Sequence, residues 1–243
     1  SSAASDVYKR QVLEERLHWQ LGYMKWKPED LFCLLTLHPE RKDFSPDLLI
    51  LAGNQLRKLF PQTSVFTMED HIVMVCDQEK NAMENLFAVL REYLLVNHFA
   101  AGMSLPFRRL EKLRYYHQQA LAAVSYGQRE NRKSSVCDFY DYALSYIIEI
   151  SDQEALICAC HPDILALAEE DSKNHGDRLN TLCTYLNMER SLLNTAKVLY
   201  IHRNTLVYRI TKIIDSLHYD IEDVYCRDYM KMTFRILKLF SRL

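Results

Sequence analysis

Two amphipathic helical patterns stand close together near the C-terminus, at residues 192–200 and 203–216, and they constrain the fold most. Apolar residues recur in both at the spacing of an α-helix. Ser191 is suited to cap the first helix, because its hydroxyl can accept a bond from an unpaired backbone N–H. Ala196 is small where two packed helices would cross, and Tyr200 stands at a turn position where glycine is common. The arrangement predicts a helix-turn-helix whose turn has to form without glycine.

The second pattern separates an apolar stripe from a polar face. At about 100° per residue, one narrow stripe contains the apolar residues Leu206, Ile210, Ile213 and Leu217. The first three turns carry no acidic residue, and the first carboxylate is that of Asp215. The N-terminal part of such a helix reaches base edges in the major groove, so its acid-free part would approach phosphate. Spacing alone leaves a second interpretation open, in which these are an ordinary pair of packed helices in an all-α domain.

The polar face provides the candidate DNA contacts. Asn204 and Tyr208 lie opposite the apolar stripe and are best placed for base edges. The four basic residues of the set are better placed for phosphates. An ion pair within the domain is the alternative role for Arg209. Lys197 of the first helix joins the candidates of the second, and the full set is Lys197, Arg203, Asn204, Thr205, Tyr208, Arg209 and Lys212.

The residues themselves resemble a known family. Residues 201–210 read Ile-His-Arg-Asn-Thr-Leu-Val-Tyr-Arg-Ile, and a Thr-Ala-x-x-Leu pattern precedes them. This string closely resembles the C-terminal helix-turn-helix of the PucR/CdaR family of bacterial transcription regulators, and the segments 179–186 and 213–223 resemble its flanks. The resemblance implies a sequence-specific transcription regulator whose recognition helix, about residues 203–216, lies in the major groove of double-stranded DNA. Because one helix buries little surface, we expect a homodimer on neighbouring half-sites.

The charge of the chain is divided unevenly between its two ends. The formal net charge is −2, which by itself does not favour a nucleic-acid partner. Residues 178–243 nevertheless contain 11 Lys and Arg against 6 Asp and Glu, whereas residues 1–177 contain 19 against 26. A basic end on an acidic body is expected when only one end of a protein meets phosphate.

Length and composition indicate a globular protein with a real core. The 243 residues suffice for one large or two ordinary domains, and 49% of them are hydrophobic while 26% are charged. No apolar run approaches the roughly 20 residues that cross a bilayer, and the N-terminus shows no signal-peptide pattern. The seven irregularly spaced cysteines do not suggest a disulfide framework. We therefore expect a cytoplasmic protein.

Upstream of the helix-turn-helix, short apolar runs alternate with helical patterns. Residues 1–28 predict a helical connector, with amphipathic spacing at 6–24. Residues 29–150 predict the order βαββαβαβ, which implies an α/β sandwich around a mixed sheet of about five strands. Residues 151–243 predict the all-α helix-turn-helix domain, so the predicted fold is α+β and multidomain.

The α/β region also resembles a known domain. Its order of elements, with Ala-Gly-Met-Ser-Leu-Pro-Phe at 101–107, resembles the GGDEF-like domain that precedes the helix-turn-helix in many PucR/CdaR-type regulators. Active diguanylate cyclases carry Gly-Gly-(Asp/Glu)-Glu-Phe on the hairpin between the second and third strands. Here the hairpin reads Thr-Met-Glu-Asp-His at 67–71, without the glycines that let backbone approach a nucleotide. Glu69 and Asp70 could hold a metal, but solvated turns commonly carry such residues. The comparison implies a degenerate domain with no catalytic residue, cofactor or metal.

Other motifs give weaker alternatives. Cys158, Cys160 and His161 have poor spacing for a structural zinc site, so buried thiols are the preferred interpretation. His202 fits a turn or capping residue better than a catalytic base. Two rival functions stay open: a nucleotide-binding or nucleotide-processing α/β domain that depends on the hairpin acids, and a scaffold whose C-terminal helices bind protein.

Overall fold

The computed structural model describes residues 26–27, 29–41, 44–68, 70–108, 110–132 and 135–240. The chain divides into two compact units, Ser1–Leu144 and Ser145–Leu243. The helix predicted at residues 6–24 lies outside the described residues, as does most of the segment 1–28 that was expected to be a connector. No helix in the described part of the chain is both long enough and apolar enough to span a bilayer.

A five-stranded mixed sheet forms the centre of the first unit. Its strands are β1 (Phe32–Pro39), β2 (Thr63–Thr67), β3 (Ile72–Asp77), β4 (Phe99–Met103) and β5 (Val136–Asp138). Their spatial order is β2-β3-β1-β4-β5, with β4 and β5 parallel and the other neighbours antiparallel. The helices are α1 (Pro46–Leu59), α2 (Met83–Asn97), α3 (Leu113–Arg129) and α4 (Phe139–Glu149). The predicted βαββαβαβ order and mixed sheet are confirmed.

β1 lies in the middle of the sheet and is apolar on both faces. Leu35 and Leu37 pack on one face with residues of α1 and α2. Phe32 and Leu34 pack on the other face, where Ala120 of α3 joins them. Because side chains alternate between faces along a strand, a strand with a helical layer on each side has to be apolar throughout. The continuous apolar run at residues 31–37 predicts such a buried central strand.

The third helix differs from its predicted bounds. Residues 106–125 predict a helix closed by Gly127, whereas α3 begins later and runs past that glycine to Arg129. A Cβ atom at position 127 would lie 2.1 Å from Sγ of Cys137 in β5. The glycine therefore permits a close approach of helix and strand, and Asn131, with a φ of 58°, takes the left-handed conformation after the helix.

The second unit is helical throughout its described secondary structure. Besides the end of α4 it contains α5 (Gln153–Cys158), α6 (Pro162–Asn174), α7 (Arg178–Asn187), α8 (Leu192–Val198), α9 (Arg203–Ile214) and α10 (Val224–Leu239). Ile164, Leu182, Leu206 and Met230 belong to one core that joins α6, α7, α9 and α10. The all-α region predicted after the α/β sandwich is confirmed.

A buried carboxylate joins the start of α6 to the segment that follows α9. Asp163 is 5% exposed, and its Oδ2 accepts bonds from the backbone N–H groups of His218 at 2.9 Å and Tyr219 at 3.2 Å. Its Oδ1 lies 2.8 Å from Nδ1 of His218. These partners compensate the burial of the carboxylate, and they fix the position of the chain just beyond α9.

Candidate nucleic-acid interface

α8 begins where the sequence predicts. Oγ of Ser191 accepts a bond from the N–H of Asn194 at 3.3 Å, which caps the helix. Thr195 and Ala196 are buried, and Leu199 packs against the same core. The helical pattern predicts that Thr195, Ala196 and Leu199 face the neighbouring helix, and their full or partial burial agrees with this.

Tyr200 makes the turn between α8 and α9 in the left-handed conformation that glycine usually supplies. Its φ is 53°. The N–H of Tyr200 donates to the carbonyl of Lys197 at 3.3 Å, and the N–H of Ile201 donates to the carbonyl of Ala196 at 3.1 Å. These two bonds form the Schellman pattern of a helix C-terminus. The turn thus forms without glycine, and the Tyr200 side chain remains 95% exposed.

α9 lies on the core through its apolar stripe. His202 caps the helix, because its Nδ1 accepts a bond from the N–H of Asn204 at 3.2 Å. This is the capping role that the sequence predicts. Leu206, Ile210 and Ile213 are 0%, 4% and 1% exposed. Burial of this stripe requires the opposite face to point away from the core.

The polar face of α9 is exposed along its length. No carboxylate occurs between Arg203 and Ile214. The helix ends at Ile214, two residues before the predicted bound, where the hydroxyl of Ser216 donates to the carbonyl of Ile213. All seven candidate contacts are exposed: Lys197, Arg203, Asn204, Thr205, Tyr208, Arg209 and Lys212.

Some of these side chains have partners within the unit. Nη1 of Arg209 lies 3.6 Å from Oδ2 of Asp177, and the two side chains are 43% and 56% exposed. The alternative role considered for Arg209 is therefore present in a weak, exposed form. Nζ of Lys212 lies 4.6 Å from the centre of the Tyr208 ring. Among the described residues, Arg203 forms no ion pair.

The structure brings to this face residues that the helical pattern does not single out. Asp177 and Arg178, at the start of α7, line a cleft together with Tyr208, Arg209 and Lys212 of α9. Helical periodicity relates residues only within one helix. Side chains that meet α9 from α7 therefore leave no signal in the sequence pattern.

In the first unit, the β2–β3 hairpin places Asp70 against a row of histidines. Glu69 lies outside the described residues. Oδ1 of Asp70 lies 2.7 Å from Nδ1 of His71, whose Nε2 lies 2.9 Å from Nε2 of His117. The ring of His38 stacks on that of His71 with centres 4.8 Å apart. Burial is the main cause that lowers the pKa of His38 to about 4 and that of His117 to about 3.

Histidine, cysteine and acidic side chains are those that could bind a metal, and two of the cysteines lie near residue 160. Within the ranges that the structure describes, no group of three or more histidine, cysteine, aspartate or glutamate side chains is arranged to hold a metal ion. The prediction of two buried thiols near residue 160 is half wrong. Cys160 is buried, whereas Cys158 is exposed at the end of the short helix α5, which contains no buried residue.

Comparison with known proteins supports the assignment of both units. Residues 179–227 match the PucR C-terminal helix-turn-helix domain, and residues 10–126 match the GGDEF-like domain. The chain is 33% identical over 263 residues to the purine catabolism regulatory protein of Bacillus subtilis (strain 168), in an alignment that covers 98% of this chain and 47% of that protein. It is 22% identical over 248 residues to the proline-responsive transcriptional activator PutR of the same organism, with coverages of 96% and 60%.

The chain therefore spans between about half and three-fifths of the length of these relatives. Among solved structures, a regulator of polyketide synthase expression from Bifidobacterium adolescentis aligns over 93% of this chain and 92% of its own, with 14% identity. Its TM-score of 0.36 does not establish a shared arrangement. The two domain matches, in the order that the sequence analysis expects, show that the chain carries a GGDEF-like domain followed by a PucR C-terminal helix-turn-helix domain.

Proposed function

We propose that this chain is a sequence-specific DNA-binding transcription regulator whose recognition helix, α9, enters the major groove. One observation carries the proposal. The apolar stripe of α9 is buried in the core, while its opposite face is exposed and free of carboxylates from Arg203 to Ile214. A helix held in this way can lie against a duplex without rearranging the unit. The relatives named above, a transcriptional activator and a regulatory protein, support the same function.

The candidate contacts divide into two roles. Asn204 and Tyr208 extend from the middle of the exposed face toward base edges, and an amide can bond adenine through two atoms. Thr205 can serve either bases or phosphates. The four basic side chains contact phosphates and set the register of the helix without reading sequence. They are Lys197, Arg203, Arg209 and Lys212.

The regulator acts as a homodimer in this proposal. A single recognition helix buries too little surface for useful affinity, so two copies have to occupy half-sites about one helical turn apart. Because its partner in this proposal is DNA, the regulator acts in the cytoplasm of a bacterial cell.

The GGDEF-like unit has no catalytic activity in this proposal and requires no cofactor. Its hairpin at residues 67–71 lacks the glycines of active cyclases. The carboxylate of Asp70 is engaged by His71 at 2.7 Å, so the described acid of the hairpin already has a partner. Turnover of GTP by the native chain, abolished by Asp70→Ala, would instead support the rival nucleotide-processing function.

Selection of binding sites from a random pool of DNA duplexes tests the proposal with the native chain. We expect a sequence motif repeated as two half-sites separated by about 10 base pairs or a multiple. Asn204→Ala should relax the preference at one base position in each half-site, since it removes a base-reading amide.

Asn187→Ala is the matched control, because it removes an exposed amide from α7 in the same unit. It should leave the selected motif unchanged. Failure of the native chain to enrich any motif would contradict sequence-specific binding. An unchanged motif with Asn204→Ala would remove that residue from base recognition.

A further inference from the structure

A cleft of about 360 Å³ opens beside the recognition helix, between α7 and α9. Three cations line it, Arg178, Arg209 and Lys212. Thr181 and Tyr208 add hydroxyl groups, and Asp177 contributes a carboxylate. Its cations therefore outnumber its carboxylate, while the Thr181 hydroxyl already donates to the carbonyl of Asp177 at 2.6 Å, and His175 and Ile213 complete the lining.

Arg178, the first residue of α7, is held in place by two side chains, while most of its N–H donors remain available. Its Nη1 lies 2.5 Å from Oε2 of Glu170, and its Nη2 donates to Oγ of Ser216 at 2.6 Å. A guanidinium group has five N–H donors in a fixed plane. Two bonds fix its orientation, and the remaining donors can serve a ligand without a change of rotamer.

Arg209 is held much less firmly. Its distance of 3.6 Å to Asp177 is too long for a hydrogen bond, and both side chains are about half exposed. Such a pair contributes little to stability. An anion with better geometry can therefore replace Asp177 at Arg209 at small cost.

We propose that this cleft seats a phosphate of the DNA backbone, which takes the place of Asp177 beside Arg209 and is also contacted by Arg178. The proposal rests on the proposed function, because the cleft shares Tyr208, Arg209 and Lys212 with the exposed face of α9. A recognition helix lying in the major groove has a sugar-phosphate strand along its flank. The cleft is where that strand meets the second unit.

Asp177 then acts against DNA binding by competing with phosphate. Removing its charge in Asp177→Asn should tighten binding to any duplex by about threefold to tenfold at low salt, as expected for one nearby like charge. Arg178→Gln should weaken binding to all sequences alike. It should also make the slope of log affinity against log salt shallower by about 0.9, the contribution of one phosphate contact.

The test uses the full chain with a selected duplex and an unrelated duplex, titrated from 50 to 200 mM salt. The variants are Asp177→Asn, Arg178→Gln, Arg209→Gln and the double variant Asp177→Asn/Arg209→Gln. In the double variant the gain from Asp177→Asn should be smaller than in the native background, because the part of the gain that comes from releasing Arg209 is lost. Arg235→Gln, which removes an exposed cation from α10, is the matched control and should bind as the native chain does. Circular dichroism verifies that each variant is folded.

If the native chain binds DNA while Asp177→Asn and Arg178→Gln both show its affinity and its salt slope, that result would overturn the cleft proposal alone. Absence of salt-dependent binding by the native chain would overturn the proposed function and the cleft proposal together. Arg178→Gln also removes bonds to Glu170 and Ser216, so Asp177→Asn keeps the test decisive if the first variant fails to fold.

A second arm identifies the source of the phosphate. Inorganic phosphate is added to the native chain without DNA, and the thermal unfolding temperature is measured. Stabilisation by phosphate that requires Arg178, combined with unchanged DNA binding in the variants, would identify a site for a small phosphate ester and overturn the backbone proposal.

Discussion

Replacing Tyr200 with glycine should stabilise the helix-turn-helix unit, because this tyrosine holds a left-handed turn. Its φ is 53°, and its side chain is 95% exposed. The left-handed conformation costs an ordinary residue about 1–2 kcal/mol. Glycine adopts it freely but loses roughly 0.4–1 kcal/mol through the greater freedom of the unfolded chain. The expected net gain is about 0.5–1 kcal/mol, since almost no packing is lost with the ring.

Thermal unfolding followed by far-ultraviolet circular dichroism measures this effect. For a unit of this size, the expected gain corresponds to a rise in Tm of roughly 2–6 °C. Tyr200→Ala is the matched control, because it removes the exposed ring but keeps the Cβ atom that disfavours the turn. Tyr200→Asn should fall between the two, since asparagine tolerates the left-handed region better than most residues.

The reasoning would be refuted if the glycine and alanine variants unfolded at the same temperature. That result would mean that the conformation at position 200 is not strained, or that the turn is not the Schellman pattern described above. A glycine variant less stable than the native chain would imply that the exposed ring makes a stabilising contact.

Two further predictions concern the cores of the two units. Leu206→Ala should lower the free energy of unfolding by about 2–5 kcal/mol, because Leu206 is 0% exposed on the buried stripe of α9. Urea unfolding checks this against Val207→Ala, whose residue is 38% exposed; equal losses would contradict the orientation of α9. In the first unit, the free energy of unfolding should fall by about 2 kcal/mol per ring for His38 and His117 between pH 7 and pH 5. The unfolded chain takes up protons below pH 6.5, whereas the buried rings, with pKa values of about 4 and 3, do not. Fluorescence of the buried Trp26 follows this unit, and His117→Gln should remove about half of the pH dependence; stability equal at pH 7 and pH 5 would argue against neutral buried histidines.

The features that could be predicted from the sequence depend on residues that lie close together along the chain. The stripe of Leu206, Ile210 and Ile213 lies at the spacing of one helix, so its burial follows from periodicity. Ser191 marks a helix start because capping is a local bond. The outward position of the seven candidate contacts follows from the same local rules, whereas their roles on DNA are proposals.

The features that the sequence does not reveal depend on contacts between distant residues. Asp163 bonds to the chain near His218, and His71 meets His117 across the first unit. Gly127 resembles a helix stop, yet it permits contact with a strand that follows later in the chain. Each of these requires the tertiary arrangement, because no short pattern relates the partners.

The affinity of the full chain for its selected duplex, measured across salt concentrations, tests the central claim most directly. In the proposed complex, Arg203, Arg209 and Lys212 of α9 and Lys197 of α8 meet the phosphates of DNA. With four phosphate contacts, the slope of log affinity against log salt concentration should be about −3.5 or steeper for each protomer. Changing these four exposed side chains together to glutamine should remove most of this dependence and leave the unfolding temperature nearly unchanged. A slope near zero, or native binding by that variant, would contradict the account and favour a scaffold that binds protein.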